Sequence, residues 1–216
     1  MSLGIYTKPH LSTSALITID TQNDFTLPNA PARISGTQEI LPQMQSLVDA
    51  YRRCGLPIVH VVRIYLPDGS NVDLCRRATV ESGNAMLAPD TQGVQLVDAL
   101  KPDPQLCLDT RLLLSGGFQS IGANEFIMYK PRWGSFYQTG LEGFLKQQDV
   151  DTLVLCGCNF PNCPRTTIYE ASERDFRLLL VTDAISQLYS KGEEEMANIQ
   201  VALMNTHTVI AQLSEG

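Results

Sequence analysis

Short apolar runs alternate with amphipathic stretches along most of this chain. The run Ala15-Leu16-Ile17-Thr18-Ile19, ending in Asp20, has the near-continuous apolar character of a strand buried on both faces. Residues 40–54 follow a helical period and Gly55 fits their C-cap, with Ser35-Gly36-Thr37-Gln38 resembling a capping box ahead of them. Residues 57–63 read as a second strand, 125–130 as a third, 152–156 as a fourth and 177–182 as a fifth. Short helices are expected over 72–81 and 93–100. A longer one opens at a second capping box, Thr139-Gly140-Leu141-Glu142, and runs to about residue 148. Another runs from residue 162 or 163 to about 174, and one more covers 193–205. The last apolar piece, 208–213, reads as a sixth strand. Residues 64–124 are otherwise rich in Gly, Pro, Asp and Asn and read as loops.

Strands alternating with helices call for right-handed crossovers and a parallel sheet. The expected fold class is therefore α/β: a three-layer α/β/α arrangement with a parallel, Rossmann-like sheet of about six strands. At 216 residues and 44% hydrophobic content, one domain over residues 1–216 is the simplest organisation. The net charge of −7 speaks against nucleic acid and anionic membranes as partners, since both select basic faces. Residues 1–10 lack the apolar core of a signal peptide. The apolar runs are about five to seven residues long, far short of the ~20 that span a bilayer. A cytoplasmic location is expected.

The six cysteines are Cys54, Cys75, Cys107, Cys156, Cys158 and Cys163. With no secretory signal and an ample core, disulfides are not expected. Cys156, Cys158 and Cys163 cluster, but no CxxC pair or nearby His completes a tetrahedral metal site. The stretch Leu153 to Thr167 reads instead as a buried strand, a tight loop and the first residues of a helix. That places the Cys163 thiol at a helix N-terminus, where negative charge is favoured. In a parallel α/β sheet the working site lies outside the carboxyl ends of the strands, and Asp20, Lys130 and Cys163 fall at three such ends. Each alone has a plainer reading: a turn-forming Asp, a solvated Lys, a small buried Cys. Together they supply an acid, a cation and a thiol.

Three motifs occur in order: Asp20-Thr21-Gln22-Asn23-Asp24-Phe25; Lys130-Pro131-Arg132-Trp133-Gly134-Ser135-Phe136; and Gly157 with Cys163 six residues on, followed by Arg165-Thr166-Thr167. Over roughly residues 12–210 the chain resembles the isochorismatase-like cysteine hydrolases, which include nicotinamidases and N-carbamoylsarcosine amidases. The resemblance implies a catalytic triad of Asp20, Lys130 and Cys163, with Asp20 as general base and acid and Lys130 as the orienting cation. It implies an oxyanion hole from the N–H groups of Asn159 and Cys163, a non-proline cis peptide at Cys158–Asn159, no cofactor, and a homodimer or homotetramer. Pro164 adds its own point. At the first helical position it leaves the Cys163 N–H free.

The departures narrow the reading. Nicotinamidases bind a metal through an Asp and several His residues after the second strand. Here that region is Arg63-Ile64-Tyr65-Leu66-Pro67-Asp68-Gly69-Ser70, without His, while His60 lies inside the strand and His10 and His207 near the termini. No metal is therefore expected. A thiol nucleophile favours acyl transfer, so the expected activity is metal-independent hydrolysis of a small amide or carbamoyl bond through a Cys163 thioester. A vinyl-ether hydrolase using Asp20 and Lys130 alone, or a non-catalytic binding member of the fold, are the alternatives. Phe25, Trp133, Tyr137 and Phe160 are the candidate apolar walls. Arg63 would meet a substrate carboxylate or pair with a neighbouring acid. Gln22 and Asp24 read as supports of the first loop, and Asp183 as the cap of the turn at 183–186.

Overall fold

The computed structural model describes residues 3–214. Seven strands form one sheet: β1 (Ser14–Ile19), β2 (Ile58–Val62), β3 (Phe118–Gly122), β4 (Glu125–Tyr129), β5 (Thr152–Gly157), β6 (Arg177–Ile185) and β7 (Ala202–Met204), in the order β3-β4-β2-β1-β5-β6-β7. Every pair is parallel except β3 with β4. The helices are α1 (Asn23–Thr26), α2 (Leu41–Cys54), α3 (Leu74–Glu81), α4 (Thr110–Leu114), α5 (Leu141–Gln147), α6 (Cys163–Ser172), α7 (Ser190–Asn198) and α8 (Thr206–Ser214).

Strand alternation builds the three layers. Ile17, Leu153 and Leu155 face one core with Leu141 and Leu145 of α5, Ile168 of α6 and Met196 of α7. Their neighbours Leu16, Val154 and Cys156 face the other, with Met44 and Leu47 of α2 and Val209 and Leu213 of α8. β1 and β5 are buried along their whole length, as a central strand covered on both faces must be. A third cluster, including Phe25, Ile64, Tyr65, Val72 and Val80, packs under the long segment after β2.

The expected three-layer α/β/α fold with a mostly parallel sheet is present; the sheet has seven strands, and its one antiparallel pair is β3 with β4. β3 lies inside the segment read as loops and is only half-buried, as an edge strand is. Three other expectations are corrected. Residues 208–213 form part of helix α8, not a strand. A six-residue apolar run suits either state, and Val209 and Leu213, one turn apart, are the ones buried. Residues 193–205 are not one helix: α7 spans Ser190–Asn198 and β7 follows. Residues 93–100 hold only a short 3-10 turn, Asp98–Leu100, because Leu96 is drawn into an antiparallel bridge with Gln22.

The first capping box does not cap: α2 begins at Leu41 with Ile40 at its N-cap and no side-chain cap bond. In the second, Gly140 is the N-cap of α5, and the Thr139 hydroxyl accepts from Leu141 N–H at 3.4 Å while donating to the Ser135 carbonyl. Asp183 caps α8, accepting from Thr206 N–H and hydroxyl at 2.8 and 2.9 Å, rather than the turn at 183–186. Gly55 ends α2 in the left-handed region (φ 67°), as read from the sequence. Among the described residues no helix is long and apolar enough to cross a membrane.

Candidate active site

Asp20 directly follows β1 and Lys130 directly follows β4, at the carboxyl edge of the sheet. The Asp20 N–H donates to Val61 O at 2.9 Å and the Lys130 N–H to Val62 O at 3.0 Å, so both residues are fixed by backbone to the end of β2. Lys130 Nζ donates to Asp20 Oδ2 at 3.0 Å and to Arg132 O at 3.3 Å. Both side chains are buried (Asp20 2% exposed, Lys130 0%), and among the described residues Asp20 Oδ1 has no hydrogen-bond partner. An ion pair at this depth interacts strongly and is costly to break on one side.

Gly157 closes β5 against β1. Its φ is 115°, and a Cβ there would sit 2.3 Å from the Ile19 carbonyl oxygen, so only glycine lets the strand ends approach this closely. The loop beyond it holds the cis Cys158–Asn159 peptide and ends where α6 begins, at Cys163. The backbone donors of this loop can be accounted for one by one. Cys158 N–H goes to Ile19 O, Phe160 N–H to Ser186 O and Asn162 N–H to Asn159 O, while Pro161 and Pro164 have none. Among the described residues the N–H groups of Asn159 and Cys163 have no acceptor.

The Cys163 thiol is buried, 3% exposed, and pushed up to about 12 by burial first and by the Asp20 charge second, against the lowering pull of Lys130 and Arg63. At neutral pH it therefore rests as a thiol beside an acid with a free carboxylate oxygen. Burial also raises Cys156 and Cys158, and all six cysteines are free. The Cys158 thiol donates to Asp20 O at 3.1 Å, a contact that ties the loop to the β1 end.

The remaining sequence candidates separate. Arg63, 1% exposed at the end of β2, lies in the same cluster: its guanidinium pairs closely with Asp73, donates to Tyr65 Oη at 3.1 Å and reaches Lys130 O at 3.5 Å. Burial opposes its charge, and Tyr65, Asp20, Asp73 and Cys163 more than offset that. Of the two roles expected for Arg63, pairing with a neighbouring acid is the one present. Phe25 is buried beneath Arg76, whose Cζ lies 5.7 Å from the ring centroid. Phe160 is packed into the core against Gly192 and Tyr189, its ring 5.5 Å from the tyrosine ring, so it faces α7 rather than open space. Trp133 and Tyr137 line a cavity of about 390 Å³ with Asp73, Arg132, Gly134, Thr166 and Glu170. That cavity does not include Asp20, Lys130 or Cys163; it shares Asp73 with the Arg63–Asp73 pair.

Gln22 and Asp24 brace the first loop: Gln22 bonds the backbone of Arg63 and Val94, and Asp24 accepts from Leu87 N–H. Sequence reasoning missed Tyr65, Asp73 and Arg76, which join the cluster from a stretch without periodic pattern. The donors after β2 do not suit a metal, since Arg63, Ile64 and Tyr65 stand there and His60 is spent on Thr18 and Glu125. Among the described residues no group of three or more His, Cys, Asp or Glu is placed to hold one.

The model of the isochorismatase domain matches residues 14–116 and 117–212. A protein named a probable inactive nicotinamidase, from Arabidopsis thaliana, is 28% identical over 90% of this chain and 93% of its own length. A ureidoacrylate amidohydrolase from Methylobacterium radiotolerans is 26% identical over 94% of this chain and 77% of its own. The crystal structure of an isochorismatase family protein from Desulfovibrio vulgaris superposes with a TM-score of 0.79 at 28% identity, covering 94% of this chain and 98% of that one. Matched across both halves of its length and in its fold, this chain belongs to the isochorismatase family, a family of hydrolases.

Proposed function

We propose that this protein is a metal-independent cysteine hydrolase that cleaves the C–N bond of a small amide or carbamoyl compound, with Asp20, Lys130 and Cys163 as its catalytic residues. The observation that carries the reading is the buried Asp20–Lys130 pair set beside a buried thiol. Cys163 Sγ attacks the substrate carbonyl as Asp20 takes the thiol proton. Lys130, hydrogen-bonded to Asp20 Oδ2, holds the carboxylate in place. The unpaired N–H groups of Asn159 and Cys163 receive the oxyanion of the tetrahedral intermediate. Collapse breaks the C–N bond, and the leaving amine or ammonia takes the proton back from Asp20. Water then attacks the thioester with Asp20 again as base, releasing the acid and restoring the thiol. The amidohydrolase activity named for the Methylobacterium relative supports this reaction class.

The test is product release from a panel of small amides and carbamoyl compounds by wild type and Cys163→Ala. Loss of at least about 10³-fold in kcat is expected for the variant. Turnover that survives the substitution would favour a thiol-free mechanism such as vinyl-ether hydrolysis. A wild-type protein that releases no product from any member would favour a binding role without turnover; the Arabidopsis relative is itself named a probable inactive nicotinamidase.

A further inference from the structure

The cavity of about 390 Å³ walled by Trp133 and Tyr137 holds two charged side chains that the proposed chemistry does not use. Arg132 and Glu170 both line it and both are half-buried. They are not paired with each other, and among the described residues neither has any other ion-pair partner. Arg132 Nη1 donates to the carbonyls of Asn71 and Pro131 at 3.1 and 2.7 Å, and the Nε and Nη2 edge of the guanidinium has no acceptor among the described residues. Glu170 Oε2 accepts from Phe136 N–H at 2.9 Å, which leaves Oε1 open. Arg174, one turn on, pairs with Glu142 and meets only the Glu170 backbone carbonyl. Asp73 also lines the cavity, but its charge is taken up by Arg63.

The walls are braced without a ligand. Lys130 Nζ donates to the Arg132 carbonyl at 3.3 Å, Ser135 N–H donates to Thr167 Oγ1 at 3.1 Å, and Thr167 donates to the Cys163 carbonyl at 2.8 Å. A Cβ on Gly134 would overlap the Glu170 carboxylate, so glycine is what lets this acid lie against the loop. A preformed cavity with aromatic walls and a few fixed polar groups is the usual form of a small-molecule site. A pure anion here would face Glu170, and a pure cation would face Arg132. A molecule with one group of each sign satisfies both, since the free guanidinium edge suits a carboxylate and the open carboxylate oxygen an ammonium.

We propose that this cavity is a binding site for a free α-amino acid with an apolar or aromatic side chain. Its carboxylate pairs with Arg132, its ammonium with Glu170, and its side chain packs on Trp133 and Tyr137. The site lies beside the Cys163 centre and does not depend on turnover there.

Trp133 is the only tryptophan of the chain, so tryptophan emission reports on this cavity alone. The experiment titrates the protein with phenylalanine, 2-phenylethylamine, 3-phenylpropionate and 2-phenylethanol, following tryptophan emission and, in parallel, heat by calorimetry. Phenylalanine should bind saturably and at least about tenfold more tightly than each of the other three. Glu170→Gln keeps an acceptor for Phe136 N–H but removes the charge, and should abolish the preference over 3-phenylpropionate. Arg132→Gln keeps the carbonyl that receives Lys130 and should abolish the preference over 2-phenylethylamine, with Arg132→Lys restoring part of it. No saturable binding, an analogue that binds as tightly as phenylalanine, or a preference that survives both substitutions overturns the proposal. Failure of the hydrolase reading would show separately, because none of these titrations requires product release.

Discussion

Lys130 shows how far one side chain can bear on both stability and chemistry. It is fully buried and ends on Asp20, an acid with no other charged group in hydrogen-bond contact. Lys130→Met would leave that carboxylate buried without its counter-charge and its positioning hydrogen bond, a costly arrangement. The expected result is a fall of roughly 10²–10⁴-fold in kcat and a loss of about 3–5 kcal/mol of stability by denaturant unfolding. Adding Asp20→Asn should recover much of the stability and none of the activity. A double variant that regained turnover would remove both residues from the proposed mechanism. At this scale Asp20 and Lys130 were legible because each directly follows an apolar run, and Cys163 because it opens the helix after one. Arg76 and Tyr65 were not, because long-range packing rather than local pattern brings them in.

The strands are tied together at the opposite edge of the sheet by a second polar network. Glu125 opens β4 and accepts from Arg52 of α2 at 2.7 and 2.8 Å and contacts His60 Nε2 of β2 at 2.8 Å, while His60 Nδ1 lies 2.7 Å from Thr18 of β1. Burial raises the Glu125 carboxyl, but His60 and Arg52 outweigh it and hold it down at about 2. A carboxyl depressed in the folded state contributes stability above its unfolded pKa, near 4.5, and loses it as pH falls toward 2. On that basis wild type should lose on the order of 3 kcal/mol across this window through Glu125. Glu125→Gln should be less stable at neutral pH and show a flatter acid limb in urea unfolding. An unchanged acid limb would mean the network carries no such coupling.

The same scale explains which elements were readable. The central strands are continuous apolar runs. β7 is only three residues long and α8 is as apolar as a strand, so local pattern assigned both wrongly.

Across the whole molecule the sheet places its chemistry at one edge and leaves it covered. Asp20, Lys130 and Cys163 are each at most 3% exposed, and the nearby cavity with Trp133 and Tyr137 stops at Asp73. A small substrate fits this enclosure better than a polymer. The fold class followed from strand–helix alternation. The covering by residues 64–114 did not, because their Gly-, Pro- and Asp-rich sequence has no period to read and folds only by packing on the third core cluster. The covalent intermediate is the point on which the proposed chemistry turns. Intact mass spectrometry after rapid mixing with the panel of small amides and carbamoyl compounds and acid quench addresses it. The expected result is a mass gain equal to one acyl group, mapped to Cys163 by peptide analysis, absent from Cys163→Ala and lost as product forms. Product release with Cys163 unmodified throughout, or an acyl group on any other residue, would contradict it.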